Sequence, residues 1–326
     1  MKILVTGGAG YIGSHFVRVA HKYGHELSVL DDFSAGNRCA IGSERFFVGS
    51  LLDSNLLLKA LDGVDAVCHF ASKIVVSESV SNPGLYFRNN VEGTLSLLKA
   101  MAETGCKRLV VSSTAAVYGN PIDDRPIDEE CELKPINPYG ETKMIAESHV
   151  RDWASMSQRT ATIFRYFNAA GAMPECGLGE YHQPETHLIP NLLNALLNPS
   201  QHTFDLYGDD YSTPDGSCIR DYVHVRDIAR AHLQALDSKH LGCQTFNLGQ
   251  GRGYSNLEVL KACEKAVGHK LIYTVSSRRP GDPERLITDN RRAQTELGWV
   301  PVYSDLDHIV SDALAWHRDV MPSVVK

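Results

Sequence analysis

The sequence predicts an α/β protein built on a doubly wound parallel sheet, with a smaller substrate-binding α/β domain after it. Three observations predict this. Short runs rich in Val, Ile and Leu recur through the first half without polar alternation, the pattern of strands buried on both faces. Amphipathic stretches of helical length alternate with them. The first apolar run empties into a glycine-rich turn, Gly7-Gly8-Ala9-Gly10-Tyr11-Ile12-Gly13, that opens a helix.

In chain order, strands are expected at residues 3–6, 27–30, 45–48, 66–70, 108–112 and 160–165, and helices at 12–23, 54–60, 83–104 and 138–155. The alternation weakens after Arg165. Residues 168–187, rich in Gly, Pro and Glu, read as a long functional loop. A helix at 190–197, a turn-rich stretch at 207–217 and helices at 226–236, 256–267 and 305–318 complete the chain. The soft boundary falls near residue 168. Residues 1–167 form the nucleotide-binding domain and 168–326 the substrate domain, with some segments crossing back to the first.

The bulk numbers narrow the function. The 326 residues are 43% hydrophobic and 22% charged, an ordinary globular composition. A net charge of −7 without a long basic run excludes nucleic acid as the main partner. No apolar stretch reaches membrane-spanning length, and the N-terminus runs straight into a strand without a signal-peptide pattern. The eight cysteines form no CxxC pair and read as reduced thiols of a cytoplasmic protein. His182 and His187, five apart beside Pro184, fit no helical metal motif, so no metal is expected.

The glycine turn carries the first chemistry. Gly7 permits a tight exit from the strand, Gly10 lets backbone approach a pyrophosphate, and Gly13 lets the helix pack against the sheet. The free N–H groups of the helix N-terminus then face the anion. The spacing is GxxGxxG rather than GxGxxG, but its place between the first strand and a helix defines a Rossmann-type site. Asp31 ends the second strand 18 residues after Gly13, where a carboxylate hydrogen-bonds the adenosine ribose and repels a 2′-phosphate. The expected cofactor is NAD rather than NADP. Asp32 is divided between cofactor contact and solvated loop.

Tyr139 and Lys143 form a YxxxK pair on one face of a helix, with Asn137 as cap and Pro138 at its first position. A phenol titrates near 10 in water, and a neighbouring ammonium together with a positive nicotinamide ring favours the phenolate. Tyr139 can then remove a hydroxyl proton while hydride leaves the same carbon. Ser112, Ser113 and Thr114 end another strand and face the same crevice. Thr114 is equally placed to bond a reacting sugar oxygen or simply to serve the turn.

With these residues in view, the chain resembles the extended short-chain dehydrogenase/reductase family, and within it the UDP-glucose 4-epimerases. The resemblance covers nearly the whole length. Its segments include 6–15, 30–34, 69–71, 89–94, 112–119, 139–143 and 165–171, and most diagnostically 207–225, YGDDYSTPDGSCIRDYVHV. It implies Tyr139 as acid/base, Lys143 tuning it and holding the nicotinamide ribose, and Thr114 bonding the sugar O4. For NAD it implies Gly7, Gly10, Tyr11, Ile12, Gly13, Asp31, Asp32, Phe33, Ser34, Gly36, Ser50, Leu51, Phe70, Ala71, Ser72, Asn90 and Tyr166, beside Tyr139 and Lys143. For the UDP-sugar it implies Thr114, Asn168, His187, Leu188, Asp205, Tyr207, Arg220, Arg279, Asp282 and Leu286. Asn168 and Arg220 would meet the diphosphate, Tyr207 the uracil, and Leu286 the wall beside the sugar. A homodimer built on helices 83–104 and 138–155 is implied as well.

Three positions depart from the family pattern. Ser50 replaces an Asp common beside the adenine. Ile74 aligns with a lysine often near the pyrophosphate, Lys73 being one place off. His187 stands where an asparagine is usual.

The implied reaction oxidises C4 of the hexose, turns the 4-keto sugar over and reduces its other face. Two rival activities fit the residues less well. A 4,6-dehydratase needs acidic residues where this chain has Ala115 and Ala116. An inactive NAD-sensing scaffold need not keep Tyr139, Lys143 and Thr114.

Overall fold

The structure, a computed structural model, describes residues 1–42, 44–121, 123–156, 158–279 and 282–324. Strands are β1 (Lys2–Thr6), β2 (Glu26–Asp31), β3 (Arg45–Val48), β4 (Ala66–His69), β5 (Arg108–Thr114), β6 (Thr160–Tyr166), β7 (Asn168–Ala170), β8 (Asp205–Tyr207), β9 (Ile219–His224), β10 (Gly242–Leu248), β11 (Gly253–Ser255), β12 (Thr274–Ser276) and β13 (Arg285–Leu286). Helices are α1 (Tyr11–Lys22), α2 (Ser54–Ala60), α3 (Val76–Ser81), α4 (Pro83–Tyr86), α5 (Gly93–Thr104), α6 (Pro138–Ser155), α7 (Leu188–Leu197), α8 (Val225–Leu236), α9 (Asn256–Val267), α10 (Arg291–Glu296), α11 (Leu306–Ala315) and α12 (Met321–Val324).

The central sheet runs β10-β6-β5-β4-β1-β2-β3, every described pairing parallel. The order reverses between β1 and β4, and ligands of such sheets bind beyond the strand C-termini at that crevice. One face packs α1 and α8 through Phe16, Val17, Ile228 and Ala235. The other packs α2, α5 and α6 through Leu57, Leu97, Met101 and Val150. A third core joins α7, α9 and α11 around Leu193, Val259 and Ile309, beside the small β11-β9-β13 sheet with β7 at its edge.

Residue 168 does not divide these layers cleanly. Residues 225–248 lie beyond it in sequence, yet α8 packs under the first sheet and β10 pairs β6 from Gly242↔Thr160 to Leu248↔Tyr166. The chain leaves the sheet for the substrate layer and returns before leaving again.

Three local readings change. The expected single helix over 83–104 is α4 and α5 joined by a π-helical stretch, Phe87–Glu92. Just beyond it, Thr94 Oγ1 donates to the Asn90 carbonyl at 2.6 Å. The α3 helix escaped the sequence reading because it is short and polar. It is held from outside by the Tyr86 hydroxyl, which lies 2.7 Å from Val75 O and 2.8 Å from Glu78 Oε2. The expected loop at 168–187 begins as strand β7, paired with β9 from Asn168↔Tyr222.

Candidate active site

The glycine turn sits where β1 hands over to α1. Gly7 has φ +72, and a Cβ there would lie 2.5 Å from the Ala71 nitrogen. A Cβ on Gly13 would lie 2.2 Å from the Gly7 carbonyl. Any side chain at either place forces the turn away from β4 or the helix out of the turn. Gly10 caps α1 without a side-chain acceptor, so the first N–H groups of the helix, from Tyr11 to Gly13, stay open to an anion.

Asp31, at the end of β2, is buried. Its Oδ2 accepts Ala9 N at 2.9 Å and its Oδ1 accepts Phe33 N at 2.8 Å. Burial raises its pKa, and these two N–H groups work against that rise. Each oxygen keeps a lone pair for a ribose hydroxyl. Asp31, Asp32, Ser34, Gly36, Ser50, Leu51 and Ala71 line one small hollow with Gly7, Gly10 and Lys73. The open amides, the close backbone approach and the paired acceptors fit a dinucleotide.

Phe33 and Asn90 do not line this hollow. Phe33, at φ +57, contributes its N–H to Asp31 while its ring stacks on Phe46 at 5.2 Å. Asn90 is buried behind the wall. Its Oδ1 accepts Lys73 N at 2.8 Å and Ser72 Oγ at 3.0 Å, so it positions the segment after β4.

A larger cavity of about 500 Å³ opens from the glycine turn across the strand ends into the second layer. Tyr139 and Lys143 stand on its wall because α6 begins where it does. Asn137 Oδ1 accepts Gly140 N at 2.9 Å, and Pro138 takes the first turn. Lys143 Nζ donates to Ser112 O at 2.6 Å and lies 3.4 Å from Ser72 Oγ. Burial pulls Lys143 down to about 8, against the field of Glu147.

Tyr139 departs from expectation. Burial raises its phenol above the ordinary value of 10.0, and the Thr114 side chain is what opposes the rise. The ammonium of Lys143, committed to Ser112 and Ser72, does not depress it. The protein alone therefore keeps Tyr139 protonated. The positive charge of a bound nicotinamide is what remains to favour the phenolate.

Behind the pair lies a network that pattern reading missed. Glu147, one turn beyond Lys143, accepts Ser113 Oγ at 2.5 Å and both arms of Arg165 at 3.0 and 2.7 Å. Both side chains are 2% exposed. Burial works to raise Glu147, but Arg165, Ser113 and Arg151 outweigh it and hold the carboxyl below its usual range. Arg165 also reaches Tyr118 Oη at 2.8 Å, which donates to Asn247 at 2.7 Å. The i, i+4 step from Lys143 to Glu147 was the available signal.

The remaining expected side chains, Asn168, His187, Leu188, Asp205, Tyr207, Arg220, Arg279, Asp282 and Leu286, all line the large cavity, with Tyr11, Ile12, Phe70 and Tyr166 on its cofactor side. Arg279 lies over the Tyr207 ring at 4.2 Å. Arg220 is buried and already partnered, donating to Asp282 and, at 2.6 Å, to Pro283 O. The two residues expected at the nucleotide thus hold each other. Tyr166 lends its ring to the wall while its hydroxyl lies 2.7 Å from His232 Nε2, in the core. Ile74 lines the large cavity and Lys73 the small hollow.

The two histidines that fit no helical metal motif do come together in space. Loop folding gathers what helical spacing did not, placing His182 and His187 beside Glu180 and Glu185 with one donor atom of each within 4.8 Å of the others.

Fold and site define a dinucleotide-dependent enzyme of the tyrosine–lysine type. Residues 3–249 match the NAD dependent epimerase/dehydratase family, and the chain belongs to it. The chain is 46% identical over 326 residues to a UDP-glucose 4-epimerase of Lactobacillus helveticus, covering 98% of this chain and 97% of that protein. It superposes with TM-score 0.92 on the UDP-glucose 4-epimerase of Brucella ovis solved in complex with NAD, at 42% identity over 96% of this chain and 97% of that one. The enzyme from Bifidobacterium longum, solved with NAD+ and UDP, matches with TM-score 0.91 at 36% identity over 97% and 98%.

Proposed function

We propose that this chain is a UDP-glucose 4-epimerase that interconverts UDP-glucose and UDP-galactose with NAD as resident cofactor. One observation carries the reading. Tyr139, Thr114 and Lys143 stand together on the wall of a cavity that also reaches Tyr207, Arg220 and Arg279. The acid/base group and a nucleotide-sized anchor therefore share one enclosure.

NAD, when bound, accepts and returns the hydride. The side chains do the rest. Tyr139 takes the proton from the sugar O4 and gives one back when the ketone is reduced. Thr114 holds that oxygen in line with the phenol. Lys143, fixed by Ser112 O and Ser72, keeps an ammonium beside the cofactor ribose. Inversion at C4 requires the sugar to turn while the nucleotide stays. Polar grip at Asn168, Tyr207, Arg220 and Arg279, with Leu188 and Leu286 as apolar wall, suits that division of binding energy. Ala115 and Ala116 line the same cavity and offer no acid to eliminate water, which disfavours a 4,6-dehydratase.

The test is product analysis. Incubation with UDP-galactose should yield UDP-glucose without net reduction of added NAD. A 4-keto-6-deoxy product, or no conversion, would overturn the reading.

The homodimer implied by sequence is part of this proposal. Val76, Val80, Phe87 and Leu95 are exposed along residues 76–104, apolar surface that a second copy would cover. A monomeric mass by light scattering would refute it. Eight free thiols among the described residues suit the reducing cytoplasm, and no described helix is long and apolar enough to cross a membrane.

A further inference from the structure

The loop between β7 and α7 carries a Glu-x-His-x-x-Glu-x-His run, and its fold turns all four side chains inward. His187 Nδ1 lies 2.8 Å from Glu180 Oε1 and 2.9 Å from Glu185 Oε1. His182 Nδ1 lies 3.4 Å from Glu180 Oε1 and 3.8 Å from Glu185 Oε2. Glu185 Oε1 also accepts Thr186 N at 2.8 Å and His187 N at 2.9 Å. Glu180 is 4% exposed, and its carbonyl accepts Trp316 Nε1 at 3.0 Å, which anchors the loop to the C-terminal helix. His182 Nδ1 is buried with no hydrogen-bond partner, because its approach to the carboxylates has the separation of an ion pair but not the alignment of a hydrogen bond.

We propose that Glu180, His182, Glu185 and His187 form a structural site for a divalent transition cation of the zinc type. Two imidazole nitrogens and two carboxylates exclude a magnesium or calcium preference, which calls for oxygen ligands throughout. Four ligands at 2.0–2.2 Å from a tetrahedral zinc have donor atoms about 3.3–3.6 Å apart. The histidine–carboxylate separations of 2.8, 2.9, 3.4 and 3.8 Å bracket that edge, and all four donors lie within 4.8 Å of one another, so an ion would draw the wider pairs inward by about 1 Å. The unpartnered His182 nitrogen gains the partner it lacks.

The site's place gives it a purpose beyond the proposed reaction. His187 is the N-cap residue of α7 and lines the large cavity, as do Glu180 and His182. The His182 ring meets Tyr11 of the glycine turn edge-on at 6.3 Å. An ion here staples the loop to the head of α7 against the cofactor turn. With Nδ1 committed to the ion, the His187 ring carries its hydrogen on Nε2 and is a fixed donor.

The experiment uses the full-length holoenzyme, treated with chelator, checked for retained NAD and reloaded with zinc or cobalt(II). Expected is about one equivalent of zinc per chain, with cobalt giving tetrahedral d–d absorption and no thiolate charge-transfer band. His182→Ala and Glu180→Gln, each confirmed to retain NAD as a check of folding, should weaken uptake at least about 10-fold. Chelation should also speed proteolysis within residues 171–187. Three results would overturn the site: no uptake at micromolar free zinc, uptake unchanged in both variants, or a thiolate band placing the metal on the cysteines. The first would show that ion pairing alone holds the loop. Because metal content and cobalt spectra are read without turnover, an inactive enzyme would leave this result standing.

Discussion

At the residue scale, Tyr139 divides two kinds of electrostatics. Burial raises its phenol and Thr114 alone counters, so the proton abstraction proposed for it depends on the loaded site. Tyr139→Phe should lower turnover by about 10²–10⁴-fold or more, the worth of a positioned general base. UDP affinity should be unchanged by equilibrium titration, since the phenol lies away from Tyr207 and Arg279 in sequence and role. Near-normal turnover would move the chemistry elsewhere. Leu286 makes a second residue-scale prediction. It pairs with Arg220 in the small sheet, packs beside Ala115 and Phe167 and lines the cavity. A 2-acetamido group pressed against its isobutyl side chain loses hydrogen bonds to water, at about 1–3 kcal/mol. Plain UDP-hexoses should therefore show the higher kcat/KM, and Leu286→Ser should narrow the ratio to their N-acetyl counterparts. A ratio unmoved by the substitution would remove Leu286 as the cause.

At the element scale, Asp221 on β9 ties three segments together. Its Oδ1 accepts Gln250 N at 2.7 Å, and its Oδ2 accepts Gly251 N at 2.9 Å and Thr288 N at 3.2 Å. Burial nevertheless pushes its pKa up to about 7, the three N–H groups only moderating the rise. The unfolded value is about 3.9, so the folded state holds a proton that the unfolded state loses across this window. The associated stability is fully present below about pH 4 and is lost as pH rises through 7. Asp221→Asn sets an amide against N–H donors and should destabilise by about 1–3 kcal/mol. Because the variant does not titrate here, the Tm gap between it and the parent should shrink from pH 5 to pH 8. A gap that is constant or grows with pH would contradict the raised carboxyl.

At the scale of the whole molecule, the return of α8 and β10 to the first sheet makes the two layers one folding unit. The large cavity takes its walls from both, Gly7 and Lys143 from one and Tyr207 and Leu286 from the other. UDP at about 100 times its Kd should stabilise the chain by about 2.7 kcal/mol. That gain should shift a single unfolding transition, followed by circular dichroism and tryptophan fluorescence together. Two transitions, with UDP moving one of them, would mean that the layers unfold apart. Denatured protein should release NAD rather than NADP, because the proposed ribose contact at Asp31 would set a carboxylate against a 2′-phosphate.

Elements with local signals could be read from the chain alone. α6 begins at Pro138 because Asn137 caps it, and the glycine turn opens α1 because side chains are excluded there; both are legible from neighbouring residues. The Tyr139–Lys143 pair and Asp31 were legible for the same reason, since helix pitch and strand ends place them without reference to distant parts of the chain. Features that depend on distant partners emerged with the three-dimensional fold. It brought strand 242–248 back beside 160–166, where any apolar strand would look the same in sequence. It paired Arg220 with Asp282 and committed the Tyr166 hydroxyl to His232. It let burial rather than Lys143 set the direction of the Tyr139 shift, because the balance between burial and charge depends on which atoms surround a group. It gathered Glu180, His182, Glu185 and His187 from a loop with no periodicity, for side-chain convergence in a loop follows from its path in space rather than from the spacing of its residues.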